Sequence, residues 1–166
     1  MKAEKVYLVG FMAAGKTSVA KALGRRLGWV VLDIDESIEQ RERMAVSDIF
    51  AKRGEAYFRA LERTIVAEQL GRRHVVVATG GGTFADVQNR AAINGDGLSV
   101  WLDVPIERLV DRVPADGRRP LAADRATFER LYHVRRAAYE QAHLRLDASR
   151  VSVDALVEQL VDWLRL

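Results

Sequence analysis

The residues best suited to chemistry begin with Gly10-Phe-Met-Ala-Ala-Gly15-Lys16-Thr17, in which two glycines bracket four residues and a lysine and threonine follow. Glycine at both ends lets the backbone curl around a phosphate, and the amides of a helix that starts there point at its oxygens while the helix dipole favours the negative charge. The lysine supplies a point charge to β- and γ-phosphates, and the threonine hydroxyl is placed to ligate Mg²⁺. With ATP as co-substrate, the expected contacts are Gly10, Ala13, Ala14, Gly15, Lys16, Thr17 and Ser18. Such a loop specifies nucleotide better than acceptor. There is no Asn-Lys-x-Asp tetrad to read guanine, and the chain is short for a remodelling ATPase, which leaves a compact kinase as the natural class.

Carboxylates come next, in Leu32-Asp33-Ile34-Asp35-Glu36, at the end of an apolar run. On an extended segment, residues i and i+2 face the same side. Asp33 is assigned to the metal and Asp35 to a substrate hydroxyl, because phosphoryl transfer needs an acid to accept that proton. The alternative is a helix start, with Asp35 or Glu36 complementing the dipole. Arg59 and Glu62 share one helical face, so an arginine fork held by an acid could anchor an acidic substrate; a solvated surface pair is the alternative. The run Thr79-Gly80-Gly81-Gly82-Thr83 is costly in entropy and implies a backbone that approaches a ligand or takes positive φ, where a plain turn needs fewer glycines. Arg118-Arg119-Pro120-Leu121 ends a polar, proline-containing segment with the character of a lid, and Arg135-Arg136-Ala-Ala-Tyr139 lies in the helical pattern after it. A lid arginine can neutralise charge on a transferring phosphoryl group while closure excludes water, and a basic surface loop is the bland reading.

These residues need a scaffold that gathers strand ends. Val6–Val9, Val30–Leu32, Val75–Ala78, Leu98–Leu102 and Leu144–Leu146 read as strands, separated by helical patterns such as Lys16–Leu27 and Glu55–Leu70. Continuous apolar strands alternating with helices predict a three-layer α/β/α fold with a five-stranded parallel sheet, covered on both faces. In such sheets ligands collect at the carboxyl ends of the strands. The stretch from about 34 to 71 is too long for a simple crossover and predicts a small helical, substrate-binding subdomain, and the lid spans about 112–124. A closing helix over about Val153–Leu164 carries Leu156, Leu160 and Leu164 on one face, with Ser152 as its cap.

The chain has 166 residues, about half of them apolar, which suits one domain with its own core. It has no cysteine, and neither a secretory leader nor an apolar run near ~20 residues, so a cytoplasmic chain with no membrane contact is expected. The net charge is +3, but the arginines are interleaved with acids, which argues against nucleic acid as partner. A monomer is expected.

Taken in order, Gly10–Thr17, Leu32-Asp-Ile-Asp35, Asp48-Ile-Phe50, Gly54-Glu-x-x-Phe-Arg59, Gly80–Gly82, Arg119-Pro-Leu121 and Arg136-Ala-Ala-Tyr139 resemble the shikimate kinase family over essentially the whole chain. The glycine triplet and the Phe-Arg pair are the specific elements. The resemblance implies a nucleoside-monophosphate-kinase-like P-loop fold and ATP-dependent phosphorylation of the 3-hydroxyl of shikimate, towards chorismate and the aromatic amino acids. It implies that Asp35 binds the ring hydroxyls and acts as base, that Arg59 and Arg136 clamp the shikimate carboxylate, and that Gly81 and Gly82 contact substrate through backbone. Lys16 and Arg119 would flank the γ-phosphate, Thr17 would hold Mg²⁺, Asp33 would orient its waters, and Arg112 would lie against adenine. A kinase of another small acid, such as gluconate, and a nucleotide-binding module without transfer are the competing readings.

Overall fold

The computed structural model describes residues 2–112 and 124–165. Their elements run β1 (Lys5–Val9), α1 (Lys16–Leu27), β2 (Val30–Asp33), α2 (Ile34–Glu42), α3 (Val46–Arg53), α4 (Glu55–Gln69), β3 (Val75–Ala78), α5 (Val87–Asp96), β4 (Leu98–Asp103), α6 (Ile106–Arg112), α7 (Arg125–Tyr139), β5 (Leu144–Asp147) and α8 (Val153–Arg165). The described strands form one sheet in the order β2-β3-β1-β4-β5, paired in parallel throughout, with helices on both faces. Val6 sits opposite Val76 on one side and Leu98 on the other, which fixes the register of the three central strands.

Burial follows position in the sheet. Every residue of β1 and β3 is buried, as runs covered on both faces should be. At the edges, β2 leaves Val30 exposed and β5 buries only Leu146, so their apolar character exceeds what the sheet covers. Helix α1 puts Val19, Ala20 and Leu23 into the core, and α8 adds Leu156, Val157, Leu160, Val161 and Leu164. Ser152 Oγ accepts the Ala155 amide at 3.1 Å, the cap the sequence predicts. No helix among the described residues is long and apolar enough to cross a membrane.

The segment 34–71 folds as α2, α3 and α4, with Phe50 of α3 and Phe58 of α4 packed at 4.9 Å between ring centroids. Most of the expected lid, residues 113–123, lies outside the described residues, and Arg119 with it. Its flanks are described: Arg112 ends α6, and Asp124 caps α7 by accepting the amides of Ala126 and Thr127.

At the amino end of β1 a charged cluster closes the sheet. The fully buried Lys5 ammonium donates to Asp96 at 2.5 Å and to the Gln69 carbonyl. Tyr7 donates to the same Asp96 oxygen at 2.7 Å, and the Gly71 amide donates to the other at 2.9 Å. Burial works to raise the Asp96 pKa, but the hydrogen bonds from Lys5, Gly71 and Tyr7 outweigh it and hold the carboxyl down to about 2. Burial also pushes the Lys5 ammonium below its ordinary value, against the pull of Asp96.

Candidate active site

The phosphate loop leaves β1 and enters α1 through left-handed backbone at Ala13 (φ 65°) and at Gly15 (φ 97°), the helix cap. Lys16 is buried and lies along the loop, donating to the carbonyls of Gly10 at 2.6 Å and Phe11 at 2.8 Å. Thr17 Oγ1 donates to Asp33 Oδ2 at 2.7 Å, while Asp33 Oδ1 accepts the Glu36 amide at 3.0 Å. One carboxylate thus ties α1 to the end of β2 and caps α2. That cap corrects the extended geometry expected for the two acids: Asp35 belongs to the first turn of α2, so the helix start is real. Asp33 and Asp35 both face the cleft nonetheless.

The cleft, about 590 Å³, opens at the carboxyl ends of the strands. Among the residues expected from sequence it is lined by Ala13, Ala14, Gly15, Lys16, Thr17, Ser18, Asp33, Asp35, Arg59, Gly81, Gly82 and Arg112. Gly10 is not in the lining; it backs the loop, where a Cβ would come within 2.9 Å of the Leu102 carbonyl. Arg112 Nη1 lies 3.5 Å from the Ala13 carbonyl, beside the loop. Phe50 and Phe58 wall the cleft as well as packing on each other, and Glu36, Glu39 and Ser47 join them.

The glycine triplet forms the floor. A Cβ on Gly80 would lie 2.7 Å from Asp35 Oδ1, one on Gly81 3.2 Å from Arg135 Nη1, and one on Gly82 2.5 Å from Arg59 Nη1. None of the three takes positive φ. Close approach of side chains from other elements, and not backbone strain, is what these glycines accommodate.

Two arginines reach that floor. Arg59 Nη1 donates to Glu62 at 3.1 and 3.3 Å, and Nη2 reaches Glu55 at 3.4 Å. Glu62 is only 1% exposed, so this pair is not a solvated surface bridge. The second arginine is Arg135, not Arg136. Helix α7 buries Phe128, Tyr132, Arg135 and Tyr139 along one face, and Arg135 is 6% exposed with its guanidinium 5.9 Å from the Phe11 ring centroid. Burial pushes the Arg135 pKa down, Tyr139 opposes this, and the nearby Arg59 charge adds to it. Tyr139, its own pKa raised by burial, donates to the Gly81 carbonyl.

Arg136 is outside the cleft lining. It stacks 5.0 Å from the Trp101 ring, approaches Asp103 at 3.4 Å and donates to Tyr132 at 2.9 Å. Successive helical residues point about 100° apart, so only one of two adjacent arginines can face a given cleft. The signal for choosing between them was present: Arg135 continues the spacing of Phe128, Tyr132 and Tyr139, and Arg136 breaks it.

Among the described residues no three or more acidic, histidine or cysteine side chains gather to hold a metal. The hydroxyl of Thr17 and the carboxylate of Asp33 fit Mg²⁺ nonetheless, because that ion keeps most of its waters and is shared with substrate phosphates.

A parallel sheet, a phosphate loop at its central strand, and acids and arginines over an adjoining cleft define a P-loop kinase of the nucleoside-monophosphate-kinase-like class. Deoxyadenosine kinase from M. mycoides shares the fold at a TM-score of 0.64 and 16% identity. The family model described as "Shikimate kinase" matches residues 12–165. The shikimate kinase of Persephonella marina is 38% identical over 161 residues, covering 96% of this chain and 98% of that protein. The structure of shikimate kinase from Acinetobacter baumannii in complex with shikimate superposes with a TM-score of 0.91 at 32% identity, covering 98% and 93% of the two chains. That from Aquifex aeolicus gives 0.87 at 31% identity over 97% and 96%. The chain belongs to the shikimate kinase family.

Proposed function

We propose that the chain transfers the γ-phosphoryl group of ATP to the 3-hydroxyl of shikimate, giving shikimate 3-phosphate and ADP. The observation that carries this reading is the convergence of two guanidinium groups, Arg59 and Arg135, on a bare glycine floor that Asp35 also meets, beside the phosphate loop. Two forks at one end of a cleft suit a carboxylate, which accepts bidentate hydrogen bonds in the plane that arginine offers. Arg135 takes the role that the family resemblance implies for Arg136.

With the carboxylate so held, the ring hydroxyls lie toward Asp35, which orients the 3-hydroxyl and accepts its proton as the oxygen attacks phosphorus. Gly81 and Gly82 let the ring approach the backbone. Lys16 leaves the carbonyls of Gly10 and Phe11 to neutralise the β- and γ-phosphates, the loop amides from Ala13 to Ser18 cradle them, and Arg112 lies on the adenine side. Arg119, beyond the described residues, is assigned to the transferring phosphoryl. Thr17 and Asp33 would hold Mg²⁺, which supplies charge neutralisation to the phosphates when bound.

The test measures ATP consumption with shikimate, gluconate and nucleoside monophosphates as acceptors. Turnover with shikimate is expected. Turnover with gluconate alone overturns the substrate, and ATP binding without transfer to any acceptor overturns the enzymatic role.

A further inference from the structure

We propose that Thr83 is a positioning residue for the carboxylate clamp, an assignment that rests on the reading of Arg59 above. Thr83 follows the glycine floor and is fully buried. Its backbone is held at both ends: the amide donates to the Gly80 carbonyl at 3.2 Å, and the carbonyl accepts from Asn89 Nδ2 at 3.1 Å. The hydroxyl is therefore aimed by the main chain. It accepts the Gly80 amide at 2.9 Å, which directs its own proton the other way, onto Glu62 Oε2 at 2.9 Å.

That Glu62 oxygen also receives Arg59 Nη1 at 3.3 Å, so a continuous chain of hydrogen bonds runs from the Gly80 amide through Thr83 and Glu62 to Arg59. Its two ends bear on different parts of the cleft. Gly80 packs against Asp35, and Arg59 reaches over Gly82. Glu62 belongs to α4, and without the hydroxyl it keeps Arg59 but loses the bond that fixes its plane relative to the floor. The guanidinium then follows the carboxylate, and the clamp loses its alignment with the hydroxyl-binding end. The nucleotide side is untouched, since the chain of bonds includes no residue of the phosphate loop.

Thr83→Val keeps the shape and removes the hydroxyl. Steady-state kinetics should show the KM for shikimate raised about tenfold, the scale of one buried hydrogen bond to a charged group, with the KM for ATP unchanged. Thr83→Ser should restore most of the affinity. Arg59→Lys is measured alongside. A raised shikimate KM in Arg59→Lys beside an unchanged one in Thr83→Val overturns the role of Thr83 alone. An unchanged KM in Arg59→Lys overturns the clamp, and the Thr83 assignment with it. Equal rises in both substrates' KM for Thr83→Val mark a merely structural residue and overturn the proposal as well. Should Thr83→Val not fold, Thr83→Ala removes the same hydroxyl without placing a methyl against the Gly80 amide and carries the same readouts.

Discussion

Replacing Arg135 and Arg136 one at a time by methionine separates two neighbours that residue type alone confuses. Methionine keeps much of the length and apolar stem while deleting the fork. Arg135 is 6% exposed and borders the glycine floor, so under the proposed clamp its loss removes a charge-assisted, desolvated contact to the substrate carboxylate, on the order of 1.5–3 kcal/mol. At about 1.4 kcal/mol per decade, that raises the KM for shikimate by roughly 10- to 150-fold. The free protein should not melt lower, because burial and the adjacent Arg59 already disfavour the Arg135 charge. Arg136 is different: its side chain is 32% exposed, and Asp103 keeps Arg145 at 2.6 and 2.9 Å when it goes. Its methionine variant forfeits stacking on Trp101, about 1 kcal/mol of stability, with shikimate KM within about twofold of wild type. A coupled ATP-consumption assay across shikimate concentrations, paired with thermal melts, measures both. A large KM rise in Arg136→Met with a small one in Arg135→Met would refute the helical-phase reasoning.

Asp35→Asn should leave the KM for ATP nearly intact and lower kcat, since Asp35 meets the glycine floor to which the acceptor is assigned above; a wild-type turnover removes it as base. At the base of the sheet, Asp96 titrates near 2 when folded and near 3.8 otherwise, so its contribution is whole above about pH 4 and is lost as the pH falls towards 2. Urea unfolding should show up to about 2 kcal/mol of acid-labile stability in the wild type that Asp96→Asn lacks, and equal pH slopes for the two proteins would count against this.

What could be read from sequence was local. The phosphate loop is a contiguous pattern between β1 and α1, and the buried strands are contiguous apolar runs, so both were legible to within a residue or two. Arg59 and Glu62 were legible because three residues of helix bring them together. The roles of Asp33 and Asp35 were assigned on a wrong local geometry, since α2 starts one residue after Asp33 and rotates Asp35 by a helical step. Arg135 and Arg136 are identical in type, and only the phase of α7, which buries Phe128, Tyr132 and Tyr139, separates them. The Lys5–Asp96 pair spans 91 residues, and nothing near either residue announces the other. The same is true of Thr83 and Glu62, which are 21 apart and meet only once α4 lies against the glycine turn.

The bare floor has a pharmacological corollary. An inhibitor that engages the main chain at Gly80–Gly82 touches groups common to every amino acid, so resistance cannot arise by deleting the contacted side chain. Mutation there can only add bulk, and the first added carbon at Gly82 lands 2.5 Å from the guanidinium of Arg59, and at Gly80 2.7 Å from the carboxylate of Asp35. A substitution at either position would therefore displace the same two groups to which acceptor binding is assigned above, so the change that evades the inhibitor also disturbs the proposed acceptor site.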